Sequence, residues 1–262
     1  MKKLLFIFSL FSVSVFADSI KLSANFLSML YTETGDSNNF LDSEKNNNFD
    51  ITGIGFEYDF KFANGFVGGN EDFLKLFVDY TKGSTDYKGF LFSTQTGQII
   101  SPYTSKTDNT IIDIKLRVDE TKKMEDYDIS FFSSLGYRNW ERDMQGEYGY
   151  KEIYQWYYGE IGMGFLIHDQ NWHIGLEGAY RYAFAPKMEA NMEKKRTFDL
   201  GQTSGYYAKI PLIYDINERY KIECSYQYDY YNIEKSNVVD GYYEPQSETE
   251  NQIIKVGMII QW

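Results

Sequence analysis

Along most of the chain, apolar and polar residues alternate with a period of two. Tyr220, Ile222, Cys224, Tyr226, Tyr228 and Tyr230 are interleaved with Lys221, Glu223, Ser225, Gln227 and Asp229. Successive strand side chains point to opposite faces, so this segment has one greasy face and one wet face. The same alternation recurs over 54–62, 74–80, 112–118, 172–182 and 254–262. Read this way, strands lie near 19–34, 50–62, 72–83, 109–119, 126–142, 151–167, 171–186, 203–215, 219–233 and 251–262. Charge as dense as that on the wet face does not make a soluble core, because an unpaired buried charge is costly. The other face is too continuously apolar and aromatic to meet water. Lipid outside and a polar interior satisfy both.

The connectors alternate as well. Those after the second, fourth, sixth and eighth strands are short, as in Thr121-Lys122-Lys123-Met124-Glu125, His168-Asp169-Gln170 and Ile216-Asn217-Glu218. The remaining five, at 35–49, 84–108, 143–150, 187–202 and 234–250, are longer and polar. Short periplasmic turns, long outer loops and an even strand count are the marks of bacterial outer-membrane barrels. The expected fold is therefore all-β: a transmembrane antiparallel up-and-down β-barrel of ten strands, with both termini periplasmic. Tyr154, Trp156, Tyr157, Tyr158, Trp172 and Tyr220 fall near strand ends, where amphipathic rings favour the headgroup level.

The two ends of the chain add an address. Met1-Lys2-Lys3, the apolar run 4–16 and Ala17 read as a secretory signal peptide cleaved after Ala17. Residues 1–17 would then be removed, and 18–262 would form one barrel domain in the outer membrane of a Gram-negative bacterium. The terminal aromatic Trp262, closing an alternating strand, resembles the signal read by the barrel-assembly machinery. Outer-membrane lipid, lipopolysaccharide and that machinery are the expected partners, together with an extracellular ligand of the loops.

Composition narrows the function. No internal run approaches the roughly 18 apolar residues of a membrane helix. The net charge of -12 argues against nucleic acid, whose phosphates need a concentrated basic face. The single cysteine, Cys224, makes no intrachain disulfide. On the wet face stand Lys21, Glu57, Asp59, Lys61, Lys75, Asp79, Asp113, Lys115, Arg117, Asp128, Arg138, Glu160, Glu177, Arg181, Lys209, Lys221, Glu223, Asp229 and Lys255. Mixed signs in a narrow ten-stranded lumen favour a paired network that fills the interior; the alternative is the lining of a small pore. Lys194, Lys195 and Arg196 in the fourth outer loop could meet lipopolysaccharide phosphates, or be balanced by Glu189 and Glu193. The acids Asp36, Asp42 and Glu44, and Asp240, Glu244, Glu248 and Glu250, lack the spacing of a calcium loop. No metal, cofactor or catalytic motif is present.

Size and strand count place the chain beside the omptins and the Opc-type adhesins. Gly149-Tyr150-Lys151-Glu152 through Tyr157 and Gly162, then Gly178-Ala179-Tyr180-Arg181-Tyr182, resembles the middle strands of omptin-type barrels. Omptins are outer-membrane proteases, and the resemblance implies an Asp pair facing an Asp-x-His pair at the extracellular rim. Here His168 and His173 are the two histidines, and both fall at the periplasmic end. The segment where Asp-x-His would stand reads Lys187-Met188-Glu189-Ala190-Asn191-Met192-Glu193. Without a rim base, the expected role is non-enzymatic: a structural or surface-interaction barrel, with a narrow channel as the alternative.

Overall fold

The computed structural model describes residues 18–35, 39–46, 48–63, 70–92 and 99–262. The signal segment, residues 64–69 of the expected turn between the second and third strands, and residues 36–38 (with the loop acid Asp36), 47 and 93–98 of the expected outer loops lie outside them. Among the described residues twelve strands form one antiparallel sheet: β1 (Ser19–Thr34), β2 (Phe40–Lys45), β3 (Ile51–Ala63), β4 (Asn70–Phe92), β5 (Ile99–Lys123), β6 (Tyr127–Met144), β7 (Lys151–Asp169), β8 (Trp172–Asn191), β9 (Lys195–Asp199), β10 (Thr203–Asp215), β11 (Tyr220–Ile233) and β12 (Gln246–Gln261). β1 pairs with β12 from Ser19 opposite Gln261 to Thr34 opposite Gln246, and with β3 on its other side. From β3 the pairing runs through β4, β5, β6, β7, β8, β10 and β11 back to β12. The ring of ten wall strands closes on itself, so the wall has no open edge.

The remaining two strands occupy expected loops. β2 fills the space between β1 and β4 above the end of β3, and β9 folds back on β8. The expected loop 84–108 is mostly strand: β4 and β5 pair from Asn70 opposite Lys122 up to Phe92 opposite Ile99. Their upper residues, such as Ser84, Asp86 and Lys88, lack the apolar outer face that marks a strand in lipid, because this hairpin stands in water on its outer side.

The wall has an apolar belt. Ile54, Leu116, Leu135, Ile161, Met163, Leu176, Ile210 and Met258 point outward and are exposed. Cys224 is exposed among them. Further along the same outward rows the residues become polar, for example Lys82 on β4, Asn139 and Glu141 on β6, Gln155 on β7 and Gln252 on β12. No helix among the described residues is long and apolar enough to cross a membrane; the strands themselves provide the lipid-facing surface.

Candidate functional site

The inner face of the belt is a layered set of ion pairs. Lys21 meets Glu57 and, at 2.9 Å, Glu223, which Lys209 also reaches at 2.9 Å. Lys75 lies 3.4 Å from Asp119 and 3.7 Å from Asp59. Arg117 grips Asp119 through two nitrogens and lies 2.9 Å from Glu177. Lys115 and Arg181 share Glu160, Lys255 holds both oxygens of Asp79 at 2.8 Å, and Arg138 lies 3.2 Å from Asp113. The strands bring these groups together because inward positions of neighbouring strands stand side by side. Gly136 makes one crossing possible: a Cβ there would sit 2.2 Å from the Tyr158 ring, which passes over it to donate a 2.6 Å hydrogen bond to Asp113.

Three members of the expected lumen set are not in this network; Asp128 faces His168 at 3.2 Å instead. Lys61 pairs with Glu71 and Lys221 with Asp215 at the periplasmic rim, where they remain partly exposed. Asp119 belongs to the network but was not singled out; extending the alternation of Asp113, Lys115 and Arg117 by one step finds it. The basic run in the β8–β9 hairpin is already neutralised. Lys194 lies 2.6 Å from Asp240, Lys195 2.7 Å from Glu189, and Arg196 is buried with its guanidinium over Tyr242. Trp262 is exposed at the periplasmic end, its amide donating to the Asp18 carbonyl.

Above the belt the interior changes character. Leu27, Met29, Tyr31, Ile51, Trp140, Tyr154, Trp156, Met188, Phe198, Tyr231 and Ile233 form a buried apolar and aromatic core inside the barrel. Trp140 stacks on Tyr154 with ring centres 5.1 Å apart and meets Tyr31 edge-on. Tyr154, Trp156 and Tyr158 thus point inward into this core and the layer beneath it, rather than forming an interfacial girdle; of the expected girdle, Tyr157, Trp172 and Tyr220 do face outward.

Set into this core is a buried guanidinium. Arg142 lies 2.7 Å from Glu44, 2.6 Å from Glu152 and 3.5 Å from Glu33, with Tyr31 packed 3.9 Å below it. Glu244, reaching in from the segment between β11 and β12, accepts a hydrogen bond from Tyr154. Burial, and then the nearby Glu33 and Glu152 carboxylates, push the Glu244 carboxyl well above its ordinary range. Asp42 on the short β2 is raised in the same way, by burial and then by Glu33. Carboxylates outnumber cations here, and burial raises the proton affinity of the surplus carboxyls. Asp42, Glu44 and Glu244 stand out in the sequence as loop acids, Tyr154 as a girdle ring and Glu152 in the omptin-like segment, but their convergence from separate segments has no local signal.

Two cavities lie below this layer, one of about 100 Å³ at mid-wall between Lys115, Arg138 and Lys255, and one of about 310 Å³ toward the periplasmic end beside Lys75, Asp128 and Lys209. The lining of the first reaches the apolar core above it at Leu27 and Ile111.

Compared with solved structures, the chain is similar to the outer membrane protease OmpT from Escherichia coli, with a TM-score of 0.65 and 11% identity over 93% of this chain and 96% of that one. The fold is that of a bacterial outer-membrane β-barrel. It is also similar, more distantly, to the translocator domain of the autotransporter NalP from Neisseria meningitidis, with a TM-score of 0.43 and 10% identity over 94% of this chain and 89% of that one. No family model and no curated protein matches the chain. The outer-membrane barrel fold accounts for the belt, since its exposed apolar residues require a lipid environment.

Proposed function

We propose that this barrel is a closed, non-enzymatic protein of the outer membrane whose surface loops serve a structural or interaction role. The observation that carries the reading is the aromatic and apolar core inside the outer half of the barrel. It leaves the ion pairs below it as filling rather than as the lining of a continuous path. Conduction needs connected water, and a ten-stranded lumen has room for little beyond its own side chains. At the outer end, Phe40, Ile99, Ile100 and Tyr148 are exposed above the belt, apolar groups in water of the kind that interaction surfaces use.

OmpT is a protease, but two features argue against carrying that activity over. Identity at this level speaks for the fold alone, and both histidines of this chain stand at the periplasmic end. The Asp-x-His base of the omptin kind therefore has no counterpart at the outer rim.

Single-channel recording of the refolded barrel in planar bilayers tests this reading. A folded but silent protein is expected. Steady openings whose ion selectivity changes in Lys75→Met or Arg117→Met would replace it with a narrow channel.

A further inference from the structure

The β7–β8 hairpin at the periplasmic end holds an arrangement that the closed barrel does not need. His168 and His173 stand directly opposite each other across the hairpin, both inward. Their Nδ1 atoms are 2.8 Å apart, and the ring planes meet at 76°. Each ring has a carboxylate behind it: His168 Nε2 lies 3.2 Å from Asp128 Oδ2, and His173 Nε2 lies 3.0 Å from Asp215 Oδ2. The four groups come from β6, β7, β8 and β10, all wall strands. The backbone beneath them is tied down, with His168 N donating to Asp126 O and Asp215 N donating to Asn171 O.

A carboxylate beside Nε2 favours the tautomer with its proton there, leaving the lone pair on Nδ1. When both rings adopt it, both Nδ1 lone pairs are available to one cation lying to the side of the 2.8 Å N···N line; with unlike tautomers the same contact is an N–H···N hydrogen bond. Two nitrogens bound cis to one ion at about 2.0–2.1 Å stand about 2.9 Å apart, whereas a tetrahedral angle would require about 3.4 Å. A tetragonal site with nitrogen and oxygen ligands is the preference of Cu²⁺ and Ni²⁺, and Cu²⁺ heads the affinity order. We propose that His168 and His173 form a periplasm-facing binding site for one such divalent transition-metal ion. The imidazoles are its ligands, Asp128 and Asp215 orient them, and water completes the coordination. No group of three His, Cys, Asp or Glu side chains converges on a single point among the described residues, so the protein supplies two ligands rather than a full cage. His168 is partly exposed and His173 less so, which gives the ion a route in from the periplasmic side.

The test is favourable because these are the chain's two histidines. Untagged refolded barrel is titrated with Cu²⁺ or Ni²⁺ alone by calorimetry, and the Cu²⁺ form is read by electron paramagnetic resonance. One ion per barrel and hyperfine structure from two equivalent nitrogens are expected. His168→Gln and His173→Gln should each weaken binding more than tenfold and lose the two-nitrogen signature. Asp215→Asn should weaken it by about tenfold while keeping both nitrogens, as outer-shell partners of metal-bound histidines do. Each variant is first confirmed as folded by its unheated mobility in dodecyl sulfate gels. If the folded double variant binds Cu²⁺ and Ni²⁺ as well as the parent does, or the folded parent binds neither, the proposal fails, and the 2.8 Å contact is an N–H···N hydrogen bond between the rings. Conductance plays no part in this readout, so the closed-barrel reading stands or falls separately.

Discussion

The lower and upper halves of this barrel share most of their wall strands but have opposite polarity, with β2 replacing β3 between β1 and β4 in the upper half. In the belt, Leu135 faces out while Ser134 and Arg138, on the same strand, face in among the charges. Higher up that strand, Asn139 and Glu141 face out, while Trp140 and Arg142 face in. The outer solvent changes from lipid to water between those positions, and the inner face changes with it. A wall in lipid gains from an apolar outside and can keep a polar, hydrated inside. A wall standing in water must find its hydrophobic stabilisation within, as a soluble protein does. The upper half is therefore a soluble β-protein mounted on a membrane barrel.

The largest expected effect separates the halves by what happens when a cation is removed. Arg142→Leu leaves Glu44 and Glu152 buried in a dry aromatic core with no counterion, which should cost the upper half about 3–5 kcal/mol. Lys75→Met also removes a cation, but Asp59 and Asp119 lie beside a cavity of about 310 Å³. Water can solvate them there, and the loss should be about 1 kcal/mol. Limited proteolysis and denaturant unfolding in detergent micelles measure both. Equal losses would mean that the two interiors are equally wet and that the division by solvent is wrong.

The next effect probes the outer face on one strand. Leu135→Arg places a charge in lipid and should destabilise the folded barrel by about 2–4 kcal/mol. Asn139→Arg, four residues along and on the same face, should cost about 0–1 kcal/mol. Equilibrium unfolding from vesicles gives the two values directly. Similar costs would move the membrane boundary and dissolve the contrast.

What the sequence made legible follows the same division. The period of two located ten wall strands because lipid selects a continuous apolar row, as in Tyr220 to Tyr230. Above the belt that row disappears, so the upper parts of β4 and β5 read as a polar loop. Their inward residues, Thr81, Thr85 and Tyr87, are buried but not strongly apolar, and their outward ones are charged. Lumen charges are visible as inward partners of an apolar row, and Asp119 continues the row of Asp113, Lys115 and Arg117 by one step. Glu44, Glu244 and Arg142 carry no local signal for each other: they come from β2, the β11–β12 connection and β6. The placement of His168 and His173 at the periplasmic end followed from the short turn between them. That their Nδ1 atoms meet depends on hairpin register, which the turn residues did not specify.

The smallest expected effect is a pH dependence confined to the upper half. Glu244 and Asp42 have folded-state carboxyls raised above the ordinary value, chiefly by burial and then by Glu33. A raised folded value means that the folded state binds the proton more tightly than the open state does. That contribution is fully present below the ordinary carboxylate value of about 4 and is lost as the pH rises through the raised values. The upper loops should therefore be tightest in acid and loosen toward alkaline pH. Arg142 moderates the change by drawing on the same carboxylates. Hydrogen exchange followed from about pH 5 to about pH 9, after correction for the intrinsic rate, should show amides around Glu244 losing protection as the pH rises. Amides in the belt, such as those of Leu116 and Ile161, should keep theirs. Glu244→Gln should remove most of the dependence while retaining an acceptor for the Tyr154 hydroxyl. If protection instead rises with pH, the carboxylates of the mouth are ionised and held by Arg142 alone, and the upper half would be closed by charge pairing rather than by its apolar core.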